Sequence, residues 1–442
     1  MTHLRSGYTT GACATAAAKG AALMLREQRT VPEVEIILPR GETARFTLHG
    51  QRFSAGESSC FVVKDAGDDP DITNGAEIHA TVSFESPCSP SPKPYPAGGE
   101  GAIIISGGAG IGRVTKPGLA VHPGDWAINP VPRRMITEAI QSVFPSTSLR
   151  DLPSTSLRDL PLNPFDSAQG RSLGDYPSPF TLHCLLSIPN GELLAQKTLN
   201  ARLGIIGGLS ILGTTGIVRP ISAQAWTDTI DAAIDVALAC GCGTVVLSTG
   251  RSSELVAQKF LSHNAPPPLT GGGRGVGEGG NSVTARSLPL SLTLPRQGGG
   301  NEGVRQDGAG RELFSFPEEA FIMMGDHVGY ALRSCAGKGV KRMVLAGQFA
   351  KLLKIACGHE QTHVSASDLD LAALSAWPEL ESHNLNLDGA TTARGILESS
   401  GNDPELIHLV CRRATSFAHS LAPGPELKVL LAGYGGEVLY FA

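Results

Sequence analysis

The amino-acid sequence predicts an α+β domain over residues 1–222, followed by a smaller α/β domain over residues 223–442 whose parallel sheet has about four strands. Three observations support this fold class. Short runs of alternating polar and apolar residues fill residues 31–84, as in an antiparallel or mixed sheet packed on a helix. In the second domain, apolar runs alternate with helical segments, which is typical of βαβ units. Two low-complexity inserts, at about 145–177 and about 264–311, have compositions that cannot build a core.

The first element is expected to be an alanine-rich helix over residues 12–27. Thr9, Thr10 and Gly11 precede it and provide the chemistry of a helix N-terminus. The stretch imitates a signal peptide, but Lys19 interrupts it, so we expect no export. No run of about 18 apolar residues occurs in the sequence, which excludes a membrane-spanning helix of the usual kind.

Composition excludes nucleic acid as a partner. The net charge is −5 and aromatic residues make up 5% of the chain, so a basic face and base-stacking platforms are both missing. The nine cysteines include no CxxC pair, which suits reduced thiols better than a disulfide framework. We therefore expect a cytoplasmic protein that binds neither nucleic acid nor membrane.

A glycine-rich centre follows the strands of the first domain. An apolar run at residues 102–105 leads directly into four closely spaced glycines, Gly107, Gly108, Gly110 and Gly112. Glycine allows positive φ and lets the backbone approach a ligand closely. A dinucleotide-binding turn would open a helix here, but the Pro-Gly pair at 117–118 prevents one. The interpretation is a glycine loop with two cations, Arg113 and Lys116, beside it, and a tight structural turn is the alternative.

Further candidates for anion binding follow along the chain. The helix predicted over residues 132–144 begins with two arginines, where positive charge opposes the helix dipole. We expect these arginines to meet an anion, with a structural ion pair as the alternative. A second glycine-rich centre over residues 200–222 contains Thr214 and Thr215 and is expected to be a buried or hinge-like segment.

The second domain offers another candidate site. Ligands of parallel sheets bind at the carboxyl ends of the strands. Four apolar runs of this domain lead into glycine or serine turns. These turns and the residues directly after them contain the residues expected to bind a ligand, Thr249, Gly250, Gly325, Asp326, Gly347 and Lys351.

Two patterns imitate metal sites. His359, Glu360 and His363 fit the HExxH pattern of zinc hydrolases, which places both histidines on one helical face. A third ligand could come from Glu379, Glu381 or His383. Poor helix formers surround the pattern, so we predict no metal site, and a structural histidine pair or a substrate contact is the alternative. The acidic run at residues 65–71 lacks the later glutamate of a calcium loop and is expected to be a solvated turn.

Several longer motifs occur in one order along the chain. They are residues 6–14 (SGYTTGACA), 110–119 (GIGRVTKPGL), 127–133 (AINPVPR), 202–204 (RLG), 212–218 (LGTTGIV), 328–332 (VGYAL) and 362–363 (TH). Together they resemble the CbiD family of cobalt-precorrin-5B C1-methyltransferases, from the anaerobic branch of cobalamin biosynthesis. The resemblance covers nearly the whole chain apart from the two inserts. The family usually has Gly-His-Ile-Gly-Lys where this chain has GQFAK at 347–351, so Gln348 and Ala350 depart from the pattern.

The resemblance implies methyl transfer from S-adenosyl-methionine to C-1 of a cobalt-bearing tetrapyrrole, giving cobalt-precorrin-6A. Cobalt enters only as part of the substrate, and handover from other corrin-pathway enzymes is expected. Expected substrate-binding residues are Thr9, Thr10, Gly11, Arg113, Thr115, Lys116, Asn129, Arg133, Arg202, Thr214, Thr215 and His363. Expected cofactor-binding residues are Gly107, Gly108, Gly110, Gly112, Thr249, Gly250, Gly325, Asp326, Gly347 and Lys351.

The sequence leaves open which glycine loop holds S-adenosyl-methionine, and it identifies no catalytic base. Our hypothesis is that the first glycine centre binds carboxylates of the substrate and that the strand ends of the second domain hold the methyl donor. A non-catalytic tetrapyrrole-binding protein is the alternative function. A zinc hydrolase that uses His359, Glu360 and His363 is the less favoured one.

Overall fold

The structure, a computed structural model, describes residues 4–84, 103–144, 181–220, 223–263, 305–306, 312–313, 316–363, 377 and 392–442. The chain forms two compact units, Met1–Ala232 and Ala233–Ala442, which we call unit 1 and unit 2. The domain boundary predicted at residue 222 lies outside the described residues, as does the first predicted insert. The second insert also lies outside them, apart from Arg305–Gln306. Helices and sheets of mixed strand orientation confirm the predicted mixture of α and β structure.

The elements of unit 1 begin with a short strand and the long N-terminal helix. In chain order they are β1 (Gly7–Tyr8), α1 (Thr10–Glu27), β2 (Glu33–Ile37), β3 (Thr43–Thr47), β4 (His49–Phe53), β5 (Glu57–Val63), β6 (Glu77–Phe84), β7 (Ile103–Gly107), β8 (Gly110–Ile111), β9 (Arg113–Val114), α2 (Pro130–Val143), β10 (Leu182–Ser187), α3 (Gly191–Ala195), β11 (Ile205–Ile206), β12 (Gly208–Leu209) and β13 (Ile217–Val218).

A mixed five-stranded sheet forms the centre of unit 1, in the order β4-β5-β6-β10-β7. Neighbouring strands are antiparallel except β10 and β7, which are parallel. Apolar residues alternate along β5 and β6, so one face of the sheet carries Cys60, Val62, Ile78, Ala80 and Val82 into the core. Helices α1 and α2 pack in the same core.

Helix α1 is buried on nearly all sides because its side chains are small. The Ser58 hydroxyl donates to the Ala21 carbonyl at 2.5 Å, and the Cys60 thiol donates to the Ala17 carbonyl at 3.2 Å. Such side-chain bonds to a helix backbone require a close approach of sheet and helix. The Thr9 hydroxyl caps the first turn. The predicted N-terminal helix is confirmed, and it is a core element.

Cations hold the acidic turn at residues 65–71. Asp65 forms an ion pair with Arg5, and Asp71 forms one with Lys64. Asp71 Oδ1 also accepts hydrogen bonds from the backbone N–H and the hydroxyl of Thr73, at 2.8 and 2.7 Å. Burial opposes ionisation of Asp71, but the bonds from Lys64 and Thr73 outweigh it and lower its pKa. The expectation of a purely solvated turn was therefore wrong for Asp71, because Lys64 draws this carboxylate towards the interior.

Unit 2 begins within helix α4, which spans the boundary between the two units. The elements are α4 (Ala223–Ala239), β14 (Thr244–Ser248), α5 (Arg251–His263), β15 (Arg305–Gln306), β16 (Glu312–Leu313), a 3₁₀ turn (Glu318–Ala320), β17 (Phe321–Met323), α6 (Val328–Gly337), β18 (Arg342–Gln348), α7 (Phe349–Ala356), α8 (Ala393–Ser399), α9 (Pro404–Leu421), β19 (Glu426–Ala432) and β20 (Val438–Phe441).

The sheet of unit 2 has the order β17-β14-β18-β19-β20. The first four strands in this order are parallel, and β20 adds an antiparallel edge that the sequence did not predict. Strand β14 is buried along its whole length, as expected for a parallel strand covered on both faces. Within the part of the chain that the structure describes, no helix is long and apolar enough to cross a membrane.

The core of unit 1 contains three cysteines whose reactivity can be predicted. Burial raises the pKa of Cys13, Cys60 and Cys184 to about 12, so almost no thiolate exists near neutral pH. We expect iodoacetamide at about pH 8 to leave these three thiols unmodified in the folded protein. The half-buried Cys240 and Cys357 should react. Peptide mass spectrometry checks this, and alkylation of Cys13 as fast as Cys357 would contradict the buried position of α1.

Candidate functional site

The two glycine-rich centres of unit 1 meet in the structure. Strand β8 pairs in parallel with β12, which places Gly110 opposite Gly208. Strand β9 pairs antiparallel with β11, which places Arg113 opposite Ile206. The sequence analysis predicted neither pairing. As a result, candidate anion-binding residues from distant parts of the chain lie in one region of unit 1.

Close packing accounts for several of these glycines. A Cβ at Gly110 would lie 1.9 Å from the carbonyl oxygen of Ile188, and one at Gly208 would lie 2.3 Å from that of Gly110. At Gly112 and Gly107 it would lie 2.5 and 2.7 Å from a neighbouring side chain. Protein atoms therefore fill the space beside these glycines. The cofactor-binding role of the first glycine centre stays a prediction.

The N-termini of α1 and α2 lie against the same short segment of the second glycine centre. The Gly11 N–H donates to the Leu212 carbonyl, and the Asn129 N–H donates to the Ile211 carbonyl, both at 2.9 Å. The Thr10 hydroxyl accepts from the Leu212 N–H at 3.0 Å. Neither helix has an acidic residue in its first turn, so the partial positive charge of each N-terminus is not neutralised from there. The predicted residues Thr10, Gly11 and Asn129 are thus brought together.

Two of the predicted arginines are oriented by neutral partners. Arg113 donates to the Gly124 carbonyl at 2.7 Å, and its guanidinium carbon lies 3.9 Å from the centre of the Trp126 ring. Arg133, in the first turn of α2, donates to the carbonyl of Ile105 at 3.3 Å. Backbone carbonyls and an indole ring carry no net charge. These contacts therefore fix the two guanidinium groups without cancelling their positive charge.

Three further predicted residues gather around Gly204. Thr115 donates to the Gly204 carbonyl from its backbone N–H at 2.7 Å and from its hydroxyl at 2.8 Å. The ammonium group of Lys116 donates to the Arg202 carbonyl at 3.3 Å. Gly204 has a φ of +78°, and a Cβ there would lie 2.5 Å from Lys116 Cγ. The stem of Lys116 is therefore packed against this turn.

The remaining predicted substrate residues are Thr214, Thr215 and His363. The Thr215 hydroxyl donates to the Ile217 carbonyl at 3.1 Å and so shapes the turn before β13. Thr214 is exposed in the same turn. His363 belongs to unit 2 and is exposed there, after the end of α7. The predicted substrate residues therefore belong to unit 1 with the exception of His363.

The carboxyl ends of β14, β17 and β18 bring predicted cofactor residues to one edge of unit 2. The N–H of Thr249 donates to the carbonyl of Ala346, and that of Met324 donates to the carbonyl of Ser248, both at 3.0 Å. A Cβ at Gly347 would lie 3.3 Å from the hydroxyl oxygen of Thr249. The Ser248 hydroxyl is buried at this edge and has no hydrogen-bond partner among the described residues.

Asp326 is the centre of a hydrogen-bonded group at this edge. Its Oδ1 accepts from the ammonium of Lys351 and, at 2.6 Å, from the hydroxyl of Thr362. Lys351 also donates to the Thr362 carbonyl at 3.1 Å. Burial opposes ionisation of Asp326, but the bonds from Lys351 and Thr362 outweigh it and lower its pKa. Asp326 is therefore an ionised hydrogen-bond acceptor that Lys351 and Thr362 hold at this edge.

Two residues at this edge were missed by the sequence analysis. Thr362 reaches Asp326 only through the fold, and no spacing in the sequence indicates the contact. Tyr434, in the turn after β19, makes a backbone hydrogen bond with Ala350, while its burial raises its pKa. The guanidinium carbon of Arg394 lies 4.7 Å from the centre of the Tyr434 ring. Ala350, one of the two departures from the family pattern, therefore contacts the turn that follows β19.

The HExxH pattern is not helical. Residues 357–363 form turns after the end of α7, so the two histidines are not presented on one helical face. Glu360 instead pairs with Arg333 at 2.6 Å, and this bond lowers the pKa of Glu360. The zinc interpretation is therefore wrong in its structural premise. The third ligands considered, Glu379, Glu381 and His383, lie outside the described residues, within which no cluster of three or more His, Cys, Asp or Glu could hold a metal ion.

Known proteins resemble this chain along its length. The model of the CbiD family matches residues 1–220. A cobalt-precorrin-5B C(1)-methyltransferase of Geobacter metallireducens is 53% identical over 99% of this chain and 98% of its own length. A protein of the same name from Geobacter sulfurreducens is also 53% identical, over 99% of each chain. One from a Geobacillus species is 33% identical over 99% of this chain and 96% of its own length. A crystal structure described as a cobalamin biosynthesis protein (cbiD) of Archaeoglobus fulgidus matches with 22% identity and a TM-score of 0.32, over 80% of this chain and 79% of that one.

Proposed function

Because the chain belongs to the CbiD family, we propose that it methylates C-1 of cobalt-precorrin-5B to give cobalt-precorrin-6A in anaerobic cobalamin biosynthesis, with S-adenosyl-methionine as the methyl donor. The observation that carries the proposal is the 53% identity over 99% of the chain to a protein named for this reaction. The scattered cysteines support a cytosolic location, where corrin-pathway enzymes would hand over the substrate.

The substrate carries acetate and propionate groups, which cations and backbone amides recognise. We propose that unit 1 binds these carboxylates. Arg113 and Arg133 support this role because their protein partners are neutral and leave their charge available. The first turns of α1 and α2 add positive potential beside Thr10 and Asn129. Each group alone could be a surface feature, but their gathering by the second glycine centre favours a common anion.

We propose that the strand ends of unit 2 bind S-adenosyl-methionine. Its ribose hydroxyls and ammonium group are hydrogen-bond donors, and the Asp326 carboxylate is an ionised acceptor at the strand edge where ligands of parallel sheets bind. The buried Ser248 hydroxyl, which lacks a partner among the described residues, supports a ligand or an ordered water near that edge. The glycines of the first centre are a less suitable binding site for S-adenosyl-methionine, because protein atoms fill the space beside Gly107, Gly110 and Gly112.

The proposed methyl transfer does not require a covalent intermediate with the protein. S-adenosyl-methionine supplies an electrophilic methyl group when it is bound. The protein must hold the nucleophilic carbon and the sulfonium in line and exclude water, and such positioning can provide much of the rate. The residues of unit 1 would orient the macrocycle by its carboxylates, and Asp326 with Lys351 would orient the donor.

A turnover assay tests the proposal. The purified protein would be incubated with cobalt-precorrin-5B and S-adenosyl-methionine, and the product analysed by mass spectrometry. We expect a tetrapyrrole heavier by one methylene unit and stoichiometric S-adenosyl-homocysteine. Binding of the tetrapyrrole without methyl transfer would instead indicate a non-catalytic carrier.

Replacing Lys116 and Arg133 together with methionine should raise the Michaelis constant for the tetrapyrrole about fivefold, since two charge-assisted contacts from half-buried side chains are lost. The Michaelis constant for S-adenosyl-methionine should change less than about twofold. Steady-state kinetics with each substrate varied in turn measures both constants.

The matched control replaces Arg29 and Arg45 with methionine. Both are exposed arginines of unit 1 whose ion pairs involve Glu27, Glu33 and Glu35, away from the glycine centres in sequence. This variant should keep both Michaelis constants. A larger effect of the Lys116 and Arg133 replacements on the donor than on the tetrapyrrole would reassign the first glycine centre to the cofactor.

A further inference from the structure

Unit 1 buries the ammonium group of a lysine. The side chain of Lys64 is 1% exposed, and its Nζ forms an ion pair with Asp71. Burying a charge is unfavourable unless a partner compensates it, and removing one member of such a pair is strongly destabilising. Asp71 cannot move away freely, because its Oδ1 is held by the backbone N–H and the hydroxyl of Thr73. The pair therefore fixes both ends of the turn between the two residues.

This turn binds the chain segment just before α1 through backbone hydrogen bonds and close packing. The Tyr8 N–H donates to the Asp65 carbonyl at 2.7 Å, and the Asp68 N–H donates to the Arg5 carbonyl at 2.9 Å. Gly7 lies directly on the turn, where a Cβ would be 2.1 Å from the carbonyl carbon of Ala66. We call residues 5–8 the N-terminal arm. Contacts of this closeness mean that the arm follows the path of the turn.

The other side of the arm contacts the second glycine centre. Gly7 and Tyr8 pair with Val218 and Ile217, which form β13. Directly after the arm, the Thr9 N–H donates to the Gly216 carbonyl at 3.0 Å. Thr9 then caps α1, and Thr10 and Gly11 follow in its first turn. A shift of the arm would therefore move the N-terminus of α1 and the loop before β13 together.

We propose that the buried Lys64–Asp71 pair positions the substrate-binding end of α1. The pair fixes the path of the turn at residues 65–71, and the turn fixes the position of the arm. The arm in turn fixes the positions of Thr9, Thr10 and Gly11. Lys64 touches none of these three residues through a hydrogen bond in the structure and acts on them through the arm. This inference rests on the proposed function in one respect, namely that the N-terminus of α1 contacts the tetrapyrrole.

The test compares Lys64→Met and Asp71→Asn with the natural protein. Lys64→Met removes the buried charge and leaves the partly exposed Asp71 carboxylate with its two bonds from Thr73, so it is the milder change and carries the test if Asp71→Asn, which leaves the buried ammonium without a carboxylate, fails to fold. Hydrogen exchange of the Tyr8 and Thr9 amides should be about tenfold faster in either variant, because their acceptors are displaced. The Michaelis constant for the tetrapyrrole should rise about fivefold, while that for S-adenosyl-methionine changes less than about twofold.

A second route to the arm provides an independent check. Gly7→Ala pushes the arm away from Ala66 without altering Lys64, and it should give the same pattern of exchange and kinetics. If both changes act through the arm, their effects should not add. The double variant Lys64→Met with Gly7→Ala should then have a Michaelis constant for the tetrapyrrole no higher than that of the single variant with the larger effect. Arg45→Met, which breaks an exposed ion pair in β3, is the control that should alter none of these quantities.

Two results would overturn the inference. One is unchanged exchange at Tyr8 and Thr9 in folded Lys64→Met or Asp71→Asn. The other is an equal rise in the Michaelis constants of both substrates, which would indicate general loss of structure. If the natural protein transferred no methyl group, the proposed function would fail, whereas the exchange measurement would still decide whether Lys64 positions Thr9.

Discussion

Gly110→Ala should lower the free energy of unfolding by about 3–5 kcal/mol, which corresponds to a fall in Tm of roughly 6–20 °C. The backbone of Gly110 has a φ of +74°, which costs an L-residue about 1–2 kcal/mol. The new methyl group would also lie 1.9 Å from the carbonyl oxygen of Ile188 and 3.0 Å from Cα of Gly191. Backbone must move to relieve this clash, and β8 would separate from β12. Thermal unfolding followed by circular dichroism measures the loss.

Gly207→Ala is the matched control for this experiment. Gly207 also has a positive φ, +82°, but no heavy atom lies within 4 Å of the position that a Cβ would take. Its replacement should therefore cost only the conformational strain of about 1–2 kcal/mol. An equal loss of stability in the two variants would mean that the close approach of Ile188 does not explain the glycine at position 110.

Asp326→Asn should weaken binding of S-adenosyl-methionine about 10- to 100-fold. The change removes the negative charge that Lys351 and Thr362 hold in place, and it replaces one acceptor oxygen with an NH₂ donor. A donor at this position would oppose the hydroxyl and ammonium groups of the ligand. Isothermal titration calorimetry with S-adenosyl-methionine measures the affinity directly, and steady-state kinetics should show little change in the Michaelis constant for the tetrapyrrole.

The control for Asp326 is a second aspartate–lysine pair of the same unit. Asp235, in α4, accepts from Lys338 at 2.6 Å, and both partners are partly exposed. Asp235→Asn removes the same charge away from the strand ends and should leave the affinity for S-adenosyl-methionine unchanged. Unchanged affinity in Asp326→Asn as well would remove the donor from the carboxyl edge of this sheet.

Local patterns predicted most of the elements of the fold. Thr9 followed by an alanine-rich stretch predicted α1, and the alternation in residues 60–65 and 76–84 predicted two strands, which the structure has at Glu57–Val63 and Glu77–Phe84. Both signals arise within a few residues, where capping and periodicity act. Strand β20 was missed because its residues form an antiparallel edge that the alternation of parallel strands and helices does not anticipate.

The candidate sites were harder to predict, because their contacts join distant parts of the chain. The rule that ligands bind at the carboxyl ends of parallel strands selected both Asp326 and Lys351. The two residues form an ion pair in the structure, since parallel strands end at one edge of the sheet. The rule could not select Thr362, which approaches Asp326 from an irregular turn. A glycine also looks the same in sequence whether its neighbour is a ligand or another backbone. At Gly110 the neighbour proved to be the carbonyl of Ile188.

The pairing of the two glycine centres also bears on the order of events during synthesis. Strand β8 cannot pair with β12 until Gly208 has been synthesised. Strand β1 likewise cannot pair with β13 until Val218 has been synthesised. At typical translation speeds the roughly 100 residues between Gly110 and Gly208 take about 5–20 seconds to emerge from the ribosome. During that interval α1 and the early strands can already pack. The region proposed to bind carboxylates can therefore be completed only after these late residues have emerged, and a nascent chain halted before Gly208 would lack it.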